Sequence, residues 1–211
     1  MFITFEGGEG TGKSTLIKII TKSLEEKGYE VILTREPGGN GSNFSEKIRD
    51  LVLDPKYDNV NAHTEALLYA ASRAQHLDEV ITPALKNNKI VLCDRYIDSS
   101  FAYQAYARNL GFDFVSNINK YALDKLPNLT FYIDLDPKIG LDRIKDRDKN
   151  DRLDKEELSF HNEVRKGYLK LVEKYPTRIV TLDGEKSISE LTIIMLDEIN
   201  KRLWQLLIDL K

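Results

Sequence analysis

The sequence predicts an α/β fold built on one parallel sheet with helices on both faces, and three observations carry that reading. Short apolar segments alternate with longer helical patterns from end to end, the order of a parallel sheet rather than of a bundle or a sandwich. The apolar segments are continuous runs, as in Ile90-Val91-Leu92-Cys93, not the every-second-residue pattern of a sheet with one wet face. No internal repeat, low-complexity stretch or flexible linker divides the 211 residues, so a single domain spanning 1–211 is expected.

In order along the chain, Phe2–Phe5 is the first strand, and a helix runs from Gly12 to about Lys27, where Gly28 stops it. Glu30–Thr34 is the second strand, closed by the breaker Arg35-Glu36-Pro37-Gly38-Gly39. Asn43–Leu53 and Thr64–Asn87 are helices, the second unusually long. Lys89–Cys93 is the third strand, and Ser99–Ala122 is mostly helical around an interruption at Gly111. Leu129–Asp134 is the fourth strand, followed by a helix from Pro137 and a charged patch over Lys145–Glu157. A further helix runs to Tyr175, Arg178–Leu182 is the fifth strand, and a last helix begins near Ser187.

Composition excludes several classes of function. A chain of this length buries roughly 70% of the surface its unfolded form exposes, so it needs no disulfide or metal staple. Lys plus Arg number 31 against 34 Asp plus Glu, a net charge of −3. That balance offers no broad basic surface to a nucleic acid or an anionic membrane, and any bound anion must be held by a local cluster. The lone Cys93 follows an apolar run and reads as inert packing rather than as a nucleophile. Met1-Phe2-Ile3-Thr4-Phe5-Glu6 has neither the basic nor the long apolar part of a secretory leader, and no apolar run approaches the ~18 residues of a membrane span. A soluble cytoplasmic protein is expected.

The chemistry begins directly after the first strand, at Gly7-Gly8-Glu9-Gly10-Thr11-Gly12-Lys13-Ser14-Thr15. This is G-x-x-x-x-G-K-[ST] between a strand and a helix, the context that distinguishes a phosphate-binding loop from a chance glycine-rich turn. Its glycines allow successive amide N–H groups to turn toward an anion, and the helix that follows adds its positive end. Lys13 would reach the β- and γ-phosphates of a nucleoside triphosphate and Ser14 would supply a hydroxyl to Mg²⁺. The expected class is therefore the P-loop NTPase fold, a five-stranded parallel sheet with a short lid at about 145–157. Ile90-Val91-Leu92-Cys93-Asp94 brings a carboxylate to the cleft end of a strand, where Asp94 would join the metal shell; a strand-end cap is the plainer alternative. Arg95 beside it could address a phosphate or form an ordinary surface ion pair.

The loop alone does not choose among switches, motors and kinases. A guanine-nucleotide switch would carry Asn-Lys-x-Asp, but Asn88-Lys89, Asn119-Lys120 and Asn200-Lys201 have Val91, Ala122 and Leu203 where Asp is needed. A nucleotide kinase should instead show dispersed arginines for two sets of phosphates and a charged flap that excludes water. Both are present. Tyr69 and Arg73 are four apart on one helical face, where a ring can stack on a base while a guanidinium donates to a carbonyl. Ser100, Tyr103 and Gln104 share a face by the same spacing.

With these residues in view, the chain resembles the thymidylate kinase family over nearly its whole length. Phe5–Thr15 is similar to that family's P-loop and Thr34-Arg35-Glu36-Pro37-Gly38-Gly39 to its second signature. Leu68–Leu77 is similar to its nucleobase helix, and Asp94-Arg95-Tyr96-Ile97-Asp98-Ser99-Ser100 with Tyr103-Gln104 to its acceptor segment. The resemblance implies ATP with Mg²⁺ as donor, dTMP as acceptor and a homodimer that would use the Thr64–Asn87 helix. It implies that Glu36, Pro37, Tyr69, Arg73, Ser100 and Gln104 line the acceptor pocket. It further implies that Tyr103 crowds out a ribose 2′-hydroxyl, that Glu9 bonds the 3′-hydroxyl, and that Arg49 and Arg95 hold the acceptor phosphate. Some members place an arginine after the acidic loop residue; here Gly10 stands there, so transition-state charge must be met from the flap. Arg152 is the first choice and Arg147 the second, with Arg143 one turn before Arg147; a solvated charge run is the bland reading of this patch.

An acceptor phosphate has a second pKa of about 6 and needs no general base, so catalysis reduces to alignment and charge cancellation by Lys13, Mg²⁺, Arg95 and flap arginines. His63, His76 and His161 receive no catalytic role. Two rivals stand beside this reading: a deoxynucleoside kinase with Glu36 as base on a 5′-hydroxyl, and a nucleotide-dependent binding module.

Overall fold

A computed structural model describes residues 1–57, 59–145, 152, 153 and 156–209. Strands β1 (Phe2–Gly7), β2 (Val31–Arg35), β3 (Ile90–Asp94), β4 (Leu129–Asp134) and β5 (Ile179–Asp183) form one sheet in the order β2-β3-β1-β4-β5. Each neighbouring pair is parallel; Phe2 stands opposite Val91, Ile3 opposite Leu129, Val31 opposite Ile90 and Thr130 opposite Ile179. The helices are α1 (Lys13–Glu26), α2 (Asn43–Leu53), α3 (Ala62–His76), α4 (Thr82–Lys86), α5 (Ile97–Ser100), α6 (Phe112–Ile118), α7 (Lys120–Leu123), α8 (Pro137–Ile144), α9 (Leu158–Lys174) and α10 (Ile188–Asp209).

Alternate residues of each strand enter two separate cores, which is why the strands read as continuous apolar runs. Ile3, Phe5, Ile90, Leu92, Phe131 and Ile133 pack on Leu16, Ile20 and Leu24 of α1 and on Leu191, Met195 and Ile199 of α10. On the other face, Phe2, Val91, Cys93, Tyr132 and Ile179 pack on Leu77, Ile81, Ile97, Phe101 and, from α9, Val164, Tyr168 and Leu171. The fourfold spacing on α1 and on α10 gives each helix one apolar stripe, and each fully buried Leu or Ile contributes about 1.5–3 kcal/mol. Cys93 is buried and free, and burial pushes its thiol well above the usual pKa, as expected of packing.

Two of the long helical expectations take a different form. The stretch expected as one helix over Thr64–Asn87 widens into a π-helical turn at Leu77–Ile81 before α4. The widening lies directly ahead of Pro83, which has no N–H to give and whose ring collides with the carbonyl four residues back in a regular helix. A second π-helical segment, Phe101–Ala107, follows α5.

The topology positions the site. From β1 the chain leaves toward β2, whereas from β3 it leaves toward β4 on the other side. The loops after these two adjacent strands therefore part, and a crevice opens at their carboxyl ends. Among the described residues no helix is long and apolar enough to cross a membrane.

Candidate active site

The crevice is a cavity of about 710 Å³ that runs from the glycine-rich loop to Tyr69, Arg73 and Gln104. At the loop end, Gly10 and Gly12 take φ of 67° and 85°, conformations a side chain disfavours, and Gly12 caps α1. Lys13 is buried in the loop it belongs to, its Nζ donating to the carbonyls of Gly7 (3.1 Å) and Gly8 (2.8 Å) and to Thr11 Oγ1 (3.2 Å). Burial, seconded by the nearby Arg95, pulls its pKa down to about 8. Ser14 and Thr15 are exposed at the start of α1.

Ser14 Oγ donates to Asp94 Oδ2 at 3.2 Å, so β1's loop and β3's end bring together the two residues expected at the metal. The other carboxylate oxygen, Asp94 Oδ1, is buried with no hydrogen-bond partner among the described residues. One hydroxyl and one carboxylate suit Mg²⁺, which keeps most of its shell for water and substrate phosphates. No group of three or more His, Cys, Asp or Glu side chains among the described residues forms a fuller cation cage.

Arg95 sits at φ 68°, a conformation rare for a non-glycine residue and held by its N–H bond to the Phe5 carbonyl (2.9 Å). This turns its guanidinium across the mouth of the loop, with Nη2 on Glu9 Oε1 at 2.5 Å and Nη1 on the Gly7 carbonyl at 2.9 Å. Tyr103 brings its ring beneath Arg95 and donates its hydroxyl to Glu9 at 3.2 Å. Burial would raise the Glu9 carboxyl, but Arg95, Lys13 and Tyr103 together hold it below the usual range. Behind these groups lies Glu6, which sequence reasoning passed over. It is fully buried and accepts from Tyr96 N (2.8 Å), Ser99 Oγ (2.6 Å) and Tyr168 OH (2.8 Å). Burial and the neighbouring Asp98 push its pKa up to about 7. A glutamate directly after the apolar run Phe2–Phe5, still within the strand, was the available signal.

At the far end, Tyr69 and Arg73 are buried on one face of α3 and both line the cavity. Arg73 donates Nε to Glu36 Oε2 (2.7 Å), Nη1 to Asn119 Oδ1 (2.5 Å) and Nη2 to the Tyr96 carbonyl (3.2 Å). Three of the five N–H groups of a guanidinium are thereby fixed, leaving two for a ligand. Glu36 gives its other oxygen to His76 Nδ1 (3.1 Å), and His76 Nε2 meets Thr34 Oγ1 at 2.7 Å. His76 is thus a buried structural member, not a polar surface residue. Arg49 Nη1 donates to the Pro37 carbonyl at 2.8 Å, and Arg49, Glu36 and Pro37 all line the cavity. Ser100, Tyr103 and Gln104 line it too, so the shared face survives the π-helical winding.

The flap behaves differently. Arg147 lies outside the described residues. Arg152 is buried, but away from the phosphate loop. Its Nη2 pairs with Glu65, its Nε donates to the Val52 carbonyl (3.2 Å), and its main-chain N donates to Leu53 O (3.2 Å). Leu153, not Arg152, lines the cavity. Arg143 reaches the loop itself, with Nη1 3.3 Å from the Gly10 carbonyl. The physical reason for the placement of Arg152 is Glu65, a carboxylate buried on α3 that also receives Arg108 and Gln104.

Comparison with known proteins places the chain beside one family. A family model described as Thymidylate kinase matches residues 5–192. The thymidylate kinase of Acholeplasma laidlawii (strain PG-8A) is 60% identical over 205 residues, covering 96% of this chain and 100% of the relative. That of Geobacillus sp. (strain WCH70) is 53% identical over 193 residues, 90% of each chain. The crystal structure of thymidylate kinase from Ehrlichia chaffeensis superposes with a TM-score of 0.76 at 30% identity, covering 95% of this chain and 98% of that one.

Proposed function

The chain belongs to the thymidylate kinase family, and on that premise we propose how its cleft moves the γ-phosphoryl group of ATP onto dTMP, giving ADP and dTDP. The observation that carries this reading is the single cavity with a phosphate loop at one end and Tyr69, Arg73 and Gln104 at the other. The gap between them is bridged by Arg95 and Arg49.

In this reading the loop of Gly7–Thr15 cradles the donor phosphates and Lys13 leaves the carbonyls of Gly7 and Gly8 for the β- and γ-phosphates. Mg²⁺, held by Ser14 and Asp94, would supply charge neutralisation between the donor phosphates. Arg95 and Arg49 orient the acceptor phosphate, and Glu9 serves both to fix Arg95 and to bond the sugar 3′-hydroxyl. Tyr103 closes the space beside the sugar. Tyr69 stacks on the base while the two uncommitted N–H groups of Arg73 meet its carbonyl. The dianionic acceptor attacks in line without a base, and the chain's task is to hold two polyanions end to end. Glu36 spends both carboxylate oxygens on Arg73 and His76, which speaks against a proton-abstracting role on a nucleoside alcohol. Arg152 or Arg147 completes the charge shell by flap closure; for Arg152 this means leaving Glu65.

The homodimer belongs to the same proposal. Leu67 on α3, half exposed, would be covered by a second copy, and sedimentation of the purified chain reads this directly. The cytoplasm, where nucleotides are made, is the proposed site of action.

The experiment is ATP- and Mg²⁺-dependent phosphorylation of a panel of acceptors, with thymidine beside dTMP. dTMP should be turned over far faster than thymidine, AMP or GMP. Equal turnover of the monophosphates would remove the base assignment, and preference for thymidine would restore the nucleoside-kinase reading.

A further inference from the structure

We propose that Glu65 sets the pyrimidine selectivity of this enzyme by fixing which end of the Gln104 side-chain amide faces the acceptor base. The inference rests on the reading above, in which the base lies against Tyr69, Arg73 and Gln104.

Glu65 lies on α3 one turn before Tyr69 and is fully buried. Burial alone would favour its neutral form, but Arg108, Gln104 and Arg152 outweigh burial and hold its pKa below the usual carboxylate range. An ionised carboxylate offers only lone pairs. The Gln104 atom 3.0 Å from Glu65 Oε1 is therefore its NH₂ group, by chemistry and not by choice of rotamer. Glu65 is itself pinned, with Arg108 donating to both its oxygens (3.4 Å and 3.2 Å) and Arg152 to Oε2. With its nitrogen committed, Gln104 keeps its carbonyl oxygen as the end it can present to the cavity it lines.

A carbonyl at that position reads hydrogen-bond polarity. Thymine carries an N–H at N3 flanked by two carbonyls. Cytosine carries a bare lone pair at N3 and an amino group at C4. Facing cytosine, the Gln104 oxygen would set lone pair against lone pair, and the remaining N–H groups of Arg73 would meet an amino group instead of an acceptor. A buried site built for one polarity loses hydrogen bonds it cannot replace when offered the other. Glu65 touches no substrate in this scheme; it is a positioning residue acting through Gln104.

In Glu65→Gln, the new amide can donate as well as accept, so Gln104 can turn its NH₂ toward the cavity. The ratio of kcat/KM for dTMP over dCMP should fall about tenfold or more, with KM for ATP changed less than about twofold. A loss of kcat on both acceptors with the ratio intact would mean that Glu65 is only structural, and would overturn the proposal. Because Arg108 and Arg152 lean on this carboxylate, a measurement on the unaltered protein stands beside the variant. In ¹⁵N-labelled wild-type enzyme the Gln104 side-chain NH₂ should be protected from solvent exchange with and without dTMP, and rapid exchange would equally overturn the inference. Wild-type enzyme that phosphorylates dCMP as readily as dTMP would instead sink the reading of the base pocket, so the two failures are distinguishable.

Discussion

Arg95 Nη2 lies 2.5 Å from Glu9 Oε1, so the phosphate loop carries a carboxylate that neutralises the arginine facing it. A negative group in a phosphate loop is costly unless it has such a partner, and here it has Arg95, Lys13 and the Tyr103 hydroxyl. The pairing keeps Arg95 aimed across the cleft before any acceptor arrives. Glu9→Gln should therefore lower kcat/KM for dTMP by about 10- to 100-fold while leaving KM for ATP within about threefold. Initial-rate kinetics with each substrate varied in turn decide it; equal effects on both substrates would assign Glu9 to the donor loop alone.

Lys13 gives the enzyme an alkaline limb. Burial and Arg95 bring its pKa to about 8, against an ordinary 10.5, so the free enzyme loses the loop's cation well inside the accessible range. kcat/KM for ATP should fall above about pH 8, because that parameter reports the free enzyme. Donor phosphates favour the cation once bound, so the limb in kcat should lie higher. Coincident limbs in the two profiles would show that Lys13 is not the titrating group.

Glu6 makes the opposite contribution, to stability. Its folded-state pKa of about 7 lies above the ordinary 4.5, mainly through burial and then Asp98. The folded state thus binds the proton more tightly, and that contribution is fully present below about pH 4.5. It is lost as pH rises through about 7, by an amount on the order of 3 kcal/mol. Glu6→Gln should accordingly unfold at a higher temperature than wild type at pH 8 and at a similar one at pH 4.5. Calorimetric melts at the two pH values test this, and a variant destabilised equally at both would show that Glu6 is held ionised.

What the sequence made legible follows the reach of local rules. β4 begins and ends where its apolar run does, and β2, β3 and β5 shift by only one residue, because continuous apolar runs flanked by turn residues have one way to be strands. Gly7–Thr15 and Tyr69 with Arg73 were visible because their spacing alone puts them together, and Ser14 with Asp94, 80 residues apart, because a loop motif and a strand-end carboxylate each point to the cleft. What stayed hidden are partners set by topology. Glu36 on Arg73 is separated by 37 residues, Gln104 on Glu65 by 39 and Arg152 on Glu65 by 87. No periodicity encodes such pairings, and Glu65 itself sits in the first turn of α3 looking like an ordinary helix-start acid. The π-helical turns were missed for a similar reason: a widened turn leaves nearly the same apolar pattern as a regular one.

Arg152 separates a catalytic from a structural flap. If closure carries it from Glu65 to the transferring group, Arg152→Ala should cost about 10³-fold or more in kcat with KM values little changed. If it only ties the flap to α2 and α3, the variant should lose on the order of 1–3 kcal/mol in stability while folded enzyme keeps its turnover. Single-turnover rates beside a urea melt read both quantities. Retained turnover would hand the catalytic role to Arg147 or Arg143.

At Gly140 helix propensity and packing oppose each other. It sits inside α8, where alanine would ordinarily stabilise by up to about 1 kcal/mol. Its backbone, however, lies against the phosphate loop: a Cβ on Gly140 would overlap the Glu9 carbonyl, and a Cβ on Gly10 would overlap the Gly140 carbonyl. The same contact explains why no arginine can stand at position 10 without displacing α8. Gly140→Ala must push Glu9 and Gly10 toward the cavity, so KM for ATP should rise about tenfold or more and the fold should lose about 1–3 kcal/mol despite the better helix former. A variant that melts higher than wild type and binds ATP normally would show that α8 and the loop are free to separate, and the coupling of α8 to the loop through these two glycines would have to be given up.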